Sequence, residues 1–168
     1  VTPDNSCGAG SASATFSFTT ADIPPILVVD DDNNNPDVLS YYTDALDALG
    51  ADYDIWNTNG SDNEPTAVEL APYDAVIWFT GVSFGGSAGP GASGEAALGT
   101  WLDDGGCFFI SAQDYYFDRG LTPFMDTYLG VSSATSDVGQ TTVTGAGSVF
   151  SGLGPYSLSF PFTNWSDI

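Results

Sequence analysis

The sequence predicts an α/β domain built on a doubly wound parallel sheet. Short apolar runs alternate with segments whose apolar residues recur at helical spacing. The run Ile26-Leu-Val-Val29 is continuous rather than alternating, as in strands buried on both faces of a parallel sheet. Glycines stand just beyond three of the four helical segments, at Gly50, Gly105 and Gly130. At 168 residues, 42% of them hydrophobic, the chain supports one packed core with a small appendage.

In chain order, residues 1–22 are rich in Ser, Thr, Gly and Ala. Within them Ala14, Phe16 and Phe18 alternate with polar residues, which reads as a β-strand appendage or the end of an upstream β-sandwich. Residues 23–25, ending in Pro24-Pro25, form a stiff linker, and residues 26–168 form the α/β domain, with a chain expected to continue beyond 168.

The first strand is Ile26 to Val29. Asp37 is placed to cap a helix with apolar positions Val38, Tyr41, Tyr42, Ala45, Leu46 and Leu49, ended by Gly50. Tyr53 to Trp56 is the second strand, followed by a short helix near Thr66 to Leu70. Ala75 to Phe79 is the third strand. After the glycine-rich loop from Gly81 to Gly91 comes a helix from about Ser93 to Asp103, presenting Ala97, Leu98, Trp101 and Leu102. Cys107 to Ser111 is the fourth strand. Leu121, Phe124, Met125, Tyr128 and Leu129 mark a further helix stopped by Gly130. Thr141 to Thr144 and Tyr156 to Phe162 alternate like strands. Successive β/α units with right-handed crossovers give strand order 2-1-3-4, with a fifth element at the edge.

Composition excludes most catalytic classes. The chain has no His and a single basic residue, Arg119, against 22 acidic ones. Ser/His/Asp and Cys/His nucleophilic arrangements therefore cannot be built, Schiff-base chemistry has no lysine, and two cysteines a hundred residues apart make no zinc site. A net charge of −21 excludes nucleic acid as a partner and disfavours anionic membrane surfaces. No run of about 18 apolar residues exists to insert in a membrane. The scarcity of basic residues, the Gly, Ser, Thr and Asn content, and the sequons at Asn59 and Asn164 point to an exported, extracellular or cell-surface chain. Flanking domains of the same polypeptide, or identical subunits joined by strand addition, are the expected partners, with glycans a further candidate.

Three stretches carry a family likeness: Ile26-Leu-Val-Val-Asp-Asp-Asp32, Tyr73-Asp-Ala-Val-Ile-Trp-Phe-Thr-Gly81 and Gly105-Gly-Cys-Phe-Phe-Ile-Ser-Ala-Gln-Asp114. They resemble the flavodoxin-like or class I glutamine-amidotransferase-like domains appended to secreted peptidases and large surface proteins, over roughly Ile26 to Leu153. The resemblance implies the fold and a non-catalytic accessory role. Members active as amidotransferases carry a nucleophilic Cys at a strand-to-helix turn with a downstream His. Here the fourth strand exits through Ser111-Ala112-Gln113-Asp114, and Cys107 stands at its other end.

Candidate ligating residues cluster where the first strand meets the first helix. Asp30, Asp31, Asp32 and Asp37, with Asp114 after the fourth strand, offer oxygen donors suited to calcium, the one cofactor considered and not a required one. The same Asx-rich loop also reads as a turn and helix cap, the commoner use of such residues. Two of these carboxylates could instead serve a divergent hydrolase, with Asp30 or Asp32 paired to Asp114. Tyr115, Tyr116 and Phe117 offer either a sugar-stacking surface or packing under loops.

A disulfide between Cys7 and Cys107 is also expected. In a parallel sheet of order 2-1-3-4 the entries to the first and fourth strands lie on one edge, roughly 9 to 10 Å apart, within reach of residues 8–25. The primary functional expectation is a structural or adhesive module of a secreted or surface-displayed multidomain microbial protein, such as a subunit of a filament or surface layer. The alternatives are a divergent carboxylate hydrolase and a glycan-binding module.

Overall fold

The computed structural model describes residues 23–60, 63–86, 88–160 and 163–168, together with a two-strand antiparallel ladder of Asp4–Asn5 on Gly8–Ala9. The alternating segment at Ala14, Phe16 and Phe18 lies outside the described residues, as does Cys7.

The strands of the main sheet are β1 (Ile26–Asp30), β2 (Tyr53–Asn57), β3 (Ala75–Gly81) and β4 (Cys107–Ala112). All three pairings are parallel and the spatial order is β2-β1-β3-β4, the expected 2-1-3-4 arrangement consistent with a flavodoxin-like fold. Helices α1 (Leu39–Leu49), α2 (Ala67–Leu70), α3 (Ala92–Asp103), α4 (Tyr115–Arg119), α5 (Pro123–Leu129) and α6 (Gly147–Phe150) follow in order. The expected C-terminal strands shrink to a two-residue ladder, Thr142–Val143 on Tyr156–Ser157, which forms its own sheet instead of extending the main one.

Strand alternation divides the core. Leu27, Val29, Val76 and Trp78 point to one face and pack with Leu70 of α2, Ala97, Leu98 and Trp101 of α3 and Phe124 of α5. Val28 and Phe79 point to the other and meet Leu46 and Tyr42 of α1, with the Tyr42 ring stacked on Phe79 at 4.2 Å. The second face is the thinner one. Of the six apolar positions expected along α1 only Leu46 is fully buried, while Tyr41 and Leu49 are exposed. Helix α1 buries only the stripe that touches the sheet, so the flanks of its amphipathic pattern stay wet.

Local signals explain the boundaries. Thr66 and Glu69 form a reciprocal capping box at α2. Thr122 caps α5 with Pro123 in its first turn, leaving Leu121 outside the helix and exposed. Gly50 and Gly130 end α1 and α5 in the left-handed region, at φ 66° and 69°. Helix α3 has no side-chain cap of its own. Instead Glu64, on the loop before α2, accepts from Gly91 N (2.5 Å), Gly94 N (2.7 Å) and Ser93 Oγ (3.0 Å), placing a carboxylate at the positive end of the helix dipole. A Cβ on Gly94 would lie 2.7 Å from a Glu64 carboxylate oxygen, so a side chain there would displace that carboxylate.

The one-sided burial makes a stability test direct. Leu98→Ala is expected to cost about 2–5 kcal/mol in denaturant unfolding through the cavity it leaves. Leu49→Ala, on the exposed flank of α1, is expected to change stability by less than about 0.5 kcal/mol.

Candidate functional site

In an open parallel sheet, ligand crevices form outside the carboxyl ends of the strands, where successive connections leave in opposite directions. Here that point lies between β1 and β3, and a crevice of about 480 Å³ opens there. Asp32, Asn33 and Asn35 line it from the β1–α1 loop, and Val82, Ser83 and Phe84 from the β3–α3 loop. Gln113 comes from the exit of β4, and Thr163 and Trp165 from the C-terminal segment.

The carboxylates beneath the crevice are largely spent on the fold. The Asp31 carboxylate is buried and accepts from Trp78 Nε1 (2.9 Å) and Thr58 Oγ1 (2.7 Å). Asp30 Oδ2 accepts from Asn57 Nδ2 (2.5 Å), while Asp30 Oδ1 is buried without a partner. The two oxygens of Asp32 accept from Asn34 N (2.7 Å) and Val38 N (2.5 Å), turning the loop and presenting a carboxylate to the start of α1. Asp37, expected as the cap, takes the adjacent amide of Leu39 at 3.0 Å, so the two aspartates share the task. These bonds are the turn and cap expected of an Asx-rich loop. Among the described residues no group of three or more Cys, Asp or Glu side chains is arranged to hold a metal ion.

Asp114 sits apart from this loop, buried at the N-terminus of α4, with Oδ1 lacking a partner. Burial pushes its carboxyl from 3.8 up to about 6, helped by the charges of Asp167, Asp118 and Asp137. Burial does the same to Asp31, against the two hydrogen bonds that favour its ionised form, and to Asp30, where the Asp32 charge adds to it. Both stand at about 6.

The C-terminal segment was not legible as part of the site. Residues 163–168 lie back along the loop at 135–140 and the exit of β4. Thr135 and Ile168 exchange backbone hydrogen bonds, Val138 N reaches Ser166 O, and Asp167 N reaches Gln113 O. The Asp167 carboxylate takes Phe117 N and Asp137 N, and Ser166 Oγ takes Gln140 N. Asn164 is half-buried, with Nδ2 donating to Gln140 O, whereas Asn59 is exposed in a turn at φ 57°. The aromatics after β4 form α4: Tyr115 is buried with its hydroxyl on Glu95, and Phe117 is exposed away from the crevice lining. Cys107 is exposed at the head of β4, the end of the sheet opposite the crevice.

Comparison with protein-family models, curated proteins and solved structures gave no match.

The three raised carboxyls set a sign for pH dependence. A folded value of about 6 against 3.8 means the native state holds protons that the unfolded chain has released, so this contribution to stability is full below about pH 4 and is lost as pH rises through about 6. Asp114→Asn removes one such group while keeping its shape. The variant is expected to show a smaller fall in melting temperature between pH 4.5 and 7 than the parent chain, measured by calorimetry.

Proposed function

We propose that the chain is a non-catalytic adhesive or structural module of a secreted or surface-displayed multidomain microbial protein. The observation that carries this reading is the engagement of both oxygens of Asp31 and Asp32, and of one oxygen of Asp30, in the fold's own hydrogen bonds beneath the crevice. The absence of His and Lys from the sequence supports it, as does the α/β architecture shared with the accessory domains that the sequence resembles. The net charge of −21 supports a role among extracellular partners, either flanking domains of the same polypeptide or identical subunits, and speaks against nucleic acid. No cofactor is required in this reading, and calcium would act on the acidic surface.

A second reading, a divergent carboxylate hydrolase, draws on the raised carboxyls of Asp30 and Asp114, since a general acid working near neutral pH needs such a value. A screen of glycosides and esters between pH 5 and 7 separates the two. The non-catalytic module is expected to give no turnover above buffer. Turnover abolished by Asp114→Ala would overturn it.

Export also fits a Cys7–Cys107 disulfide, for which the exposed position of Cys107 at the head of β4 leaves access. Closing a loop of about 100 residues would contribute about 4.7 kcal/mol in the chain-entropy picture. Intact-mass measurement after alkylation without reductant is expected to find no labelled thiol in the secreted chain, and two labels would refute the bond.

A further inference from the structure

Five of the six amide, hydroxyl and carboxylate side chains that line the crevice are uncharged: Asn33, Asn35, Ser83, Gln113 and Thr163. Amides and hydroxyls both donate and accept, which matches a ligand whose own groups do both. The sixth, Asp32, is almost fully buried, and its two oxygens already hold the amides of Asn34 and Val38, so the crevice presents no open carboxylate to a cationic ligand. No Lys or Arg lines it. Arg119, the single basic residue of the chain, is 3.6 Å from the Glu95 carboxylate, so an anionic ligand would meet a negative protein with nothing to neutralise it.

Two aromatic rings complete the lining. Trp165 is 49% exposed and Phe84 67% exposed. Trp165 is held from both sides: Asn164 is bonded to Gln140 O, and Ser166 is buried with its hydroxyl on Gln140 N and its carbonyl on Val138 N. An exposed indole on a backbone fixed at its two neighbours loses little further freedom on binding, as in preorganised recognition sites. It offers a flat apolar face next to polar groups, the complement of a ring with C–H bonds on its faces and hydroxyls around its rim. The volume of about 480 Å³ lies in the range of small-ligand sites and takes a few sugar rings at most.

We propose that this crevice binds an uncharged pyranose unit of a glycan, stacked on Trp165 and hydrogen-bonded by Asn35, Gln113 and Thr163. The assignment deepens the adhesive reading and rests on it, since it requires a sugar that is held and not cleaved.

Titration of the full chain with the N-acetylglucosamine trimer, mannotriose and lactose, followed by calorimetry and by the Trp165 indole N–H resonance, tests the proposal. The charged controls are the glucosamine trimer, which is cationic, and the galacturonic acid trimer, which is anionic. Saturable binding of at least one neutral sugar, weakened about tenfold or more by Trp165→Ala and less by Trp165→Phe, is the expected result. Both variants should keep the parent melting temperature, because the side chain is half in solvent. A preference for either charged trimer would overturn the ligand class and leave the adhesive role standing. An unmoved Trp165 resonance with every probe would overturn the sugar site itself. Release of monosaccharide from a bound trimer would sink the non-catalytic reading while leaving the crevice as the sugar site.

Discussion

The buried carboxylate of Asp31 is the constraint on which the carboxyl end of the sheet depends. It follows β1, accepts from Thr58 just beyond β2 and from Trp78 within β3, and so ties three neighbouring strands through one side chain. Its own backbone continues the arrangement: Asp31 N donates to Phe79 O, and Asp31 O accepts from Ser83 Oγ. Sheet ladders fix register along strands, but the loops beyond them have no ladder to follow. A carboxylate shared between β1, β2 and β3 supplies that missing restraint and sets the separation of the loops that open into the crevice. Burial works against the charge, and the carboxyl at about 6 is the visible trace of that opposition.

Burial at this end of the molecule also explains how so acidic a chain can place aspartates in its interior. The indole N–H, hydroxyl, amide and backbone N–H groups around Asp30, Asp31 and Asp32 are neutral donors, so both oxygens of Asp31 and Asp32 and one of Asp30 are held without basic residues. The same solution recurs at α3, where Glu64 takes two backbone amides and a serine hydroxyl. At these two places a chain with one basic residue holds its carboxylates with neutral donors in the place of ion pairs.

Much of the parallel core was legible, because β1, β3 and the buried face of α3 carry unbroken periodic signals and the terminating glycines sit where left-handed backbone is needed. The helix at Tyr115–Arg119 was not. Its five residues are too few for a period to show, and its aromatics read as packing under loops or as a surface without a helix being implied. The breadth of α1 was overread, since the sequence shows which residues are apolar and not how many elements share a face. The sequence places the aspartates after β1, but which amides and hydroxyls their carboxylates accept from depends on where the donors lie. Thr58 and Trp78 are 27 and 47 residues away along the chain. The contribution of Thr163 and Trp165 rests on loop-to-loop hydrogen bonds, which leave no periodic trace.

The segment at 163–168 ties the crevice to the chain's order of assembly. One wall consists of residues some fifty positions beyond β4, held by backbone exchanges with Thr135 and Val138 and by the Asp167 carboxylate. The β/α core can therefore form while the crevice is still open on that side. Docking of the segment and occupancy of the crevice then become linked equilibria: whatever loosens the segment weakens the site in proportion, and whatever fills the site holds the segment down.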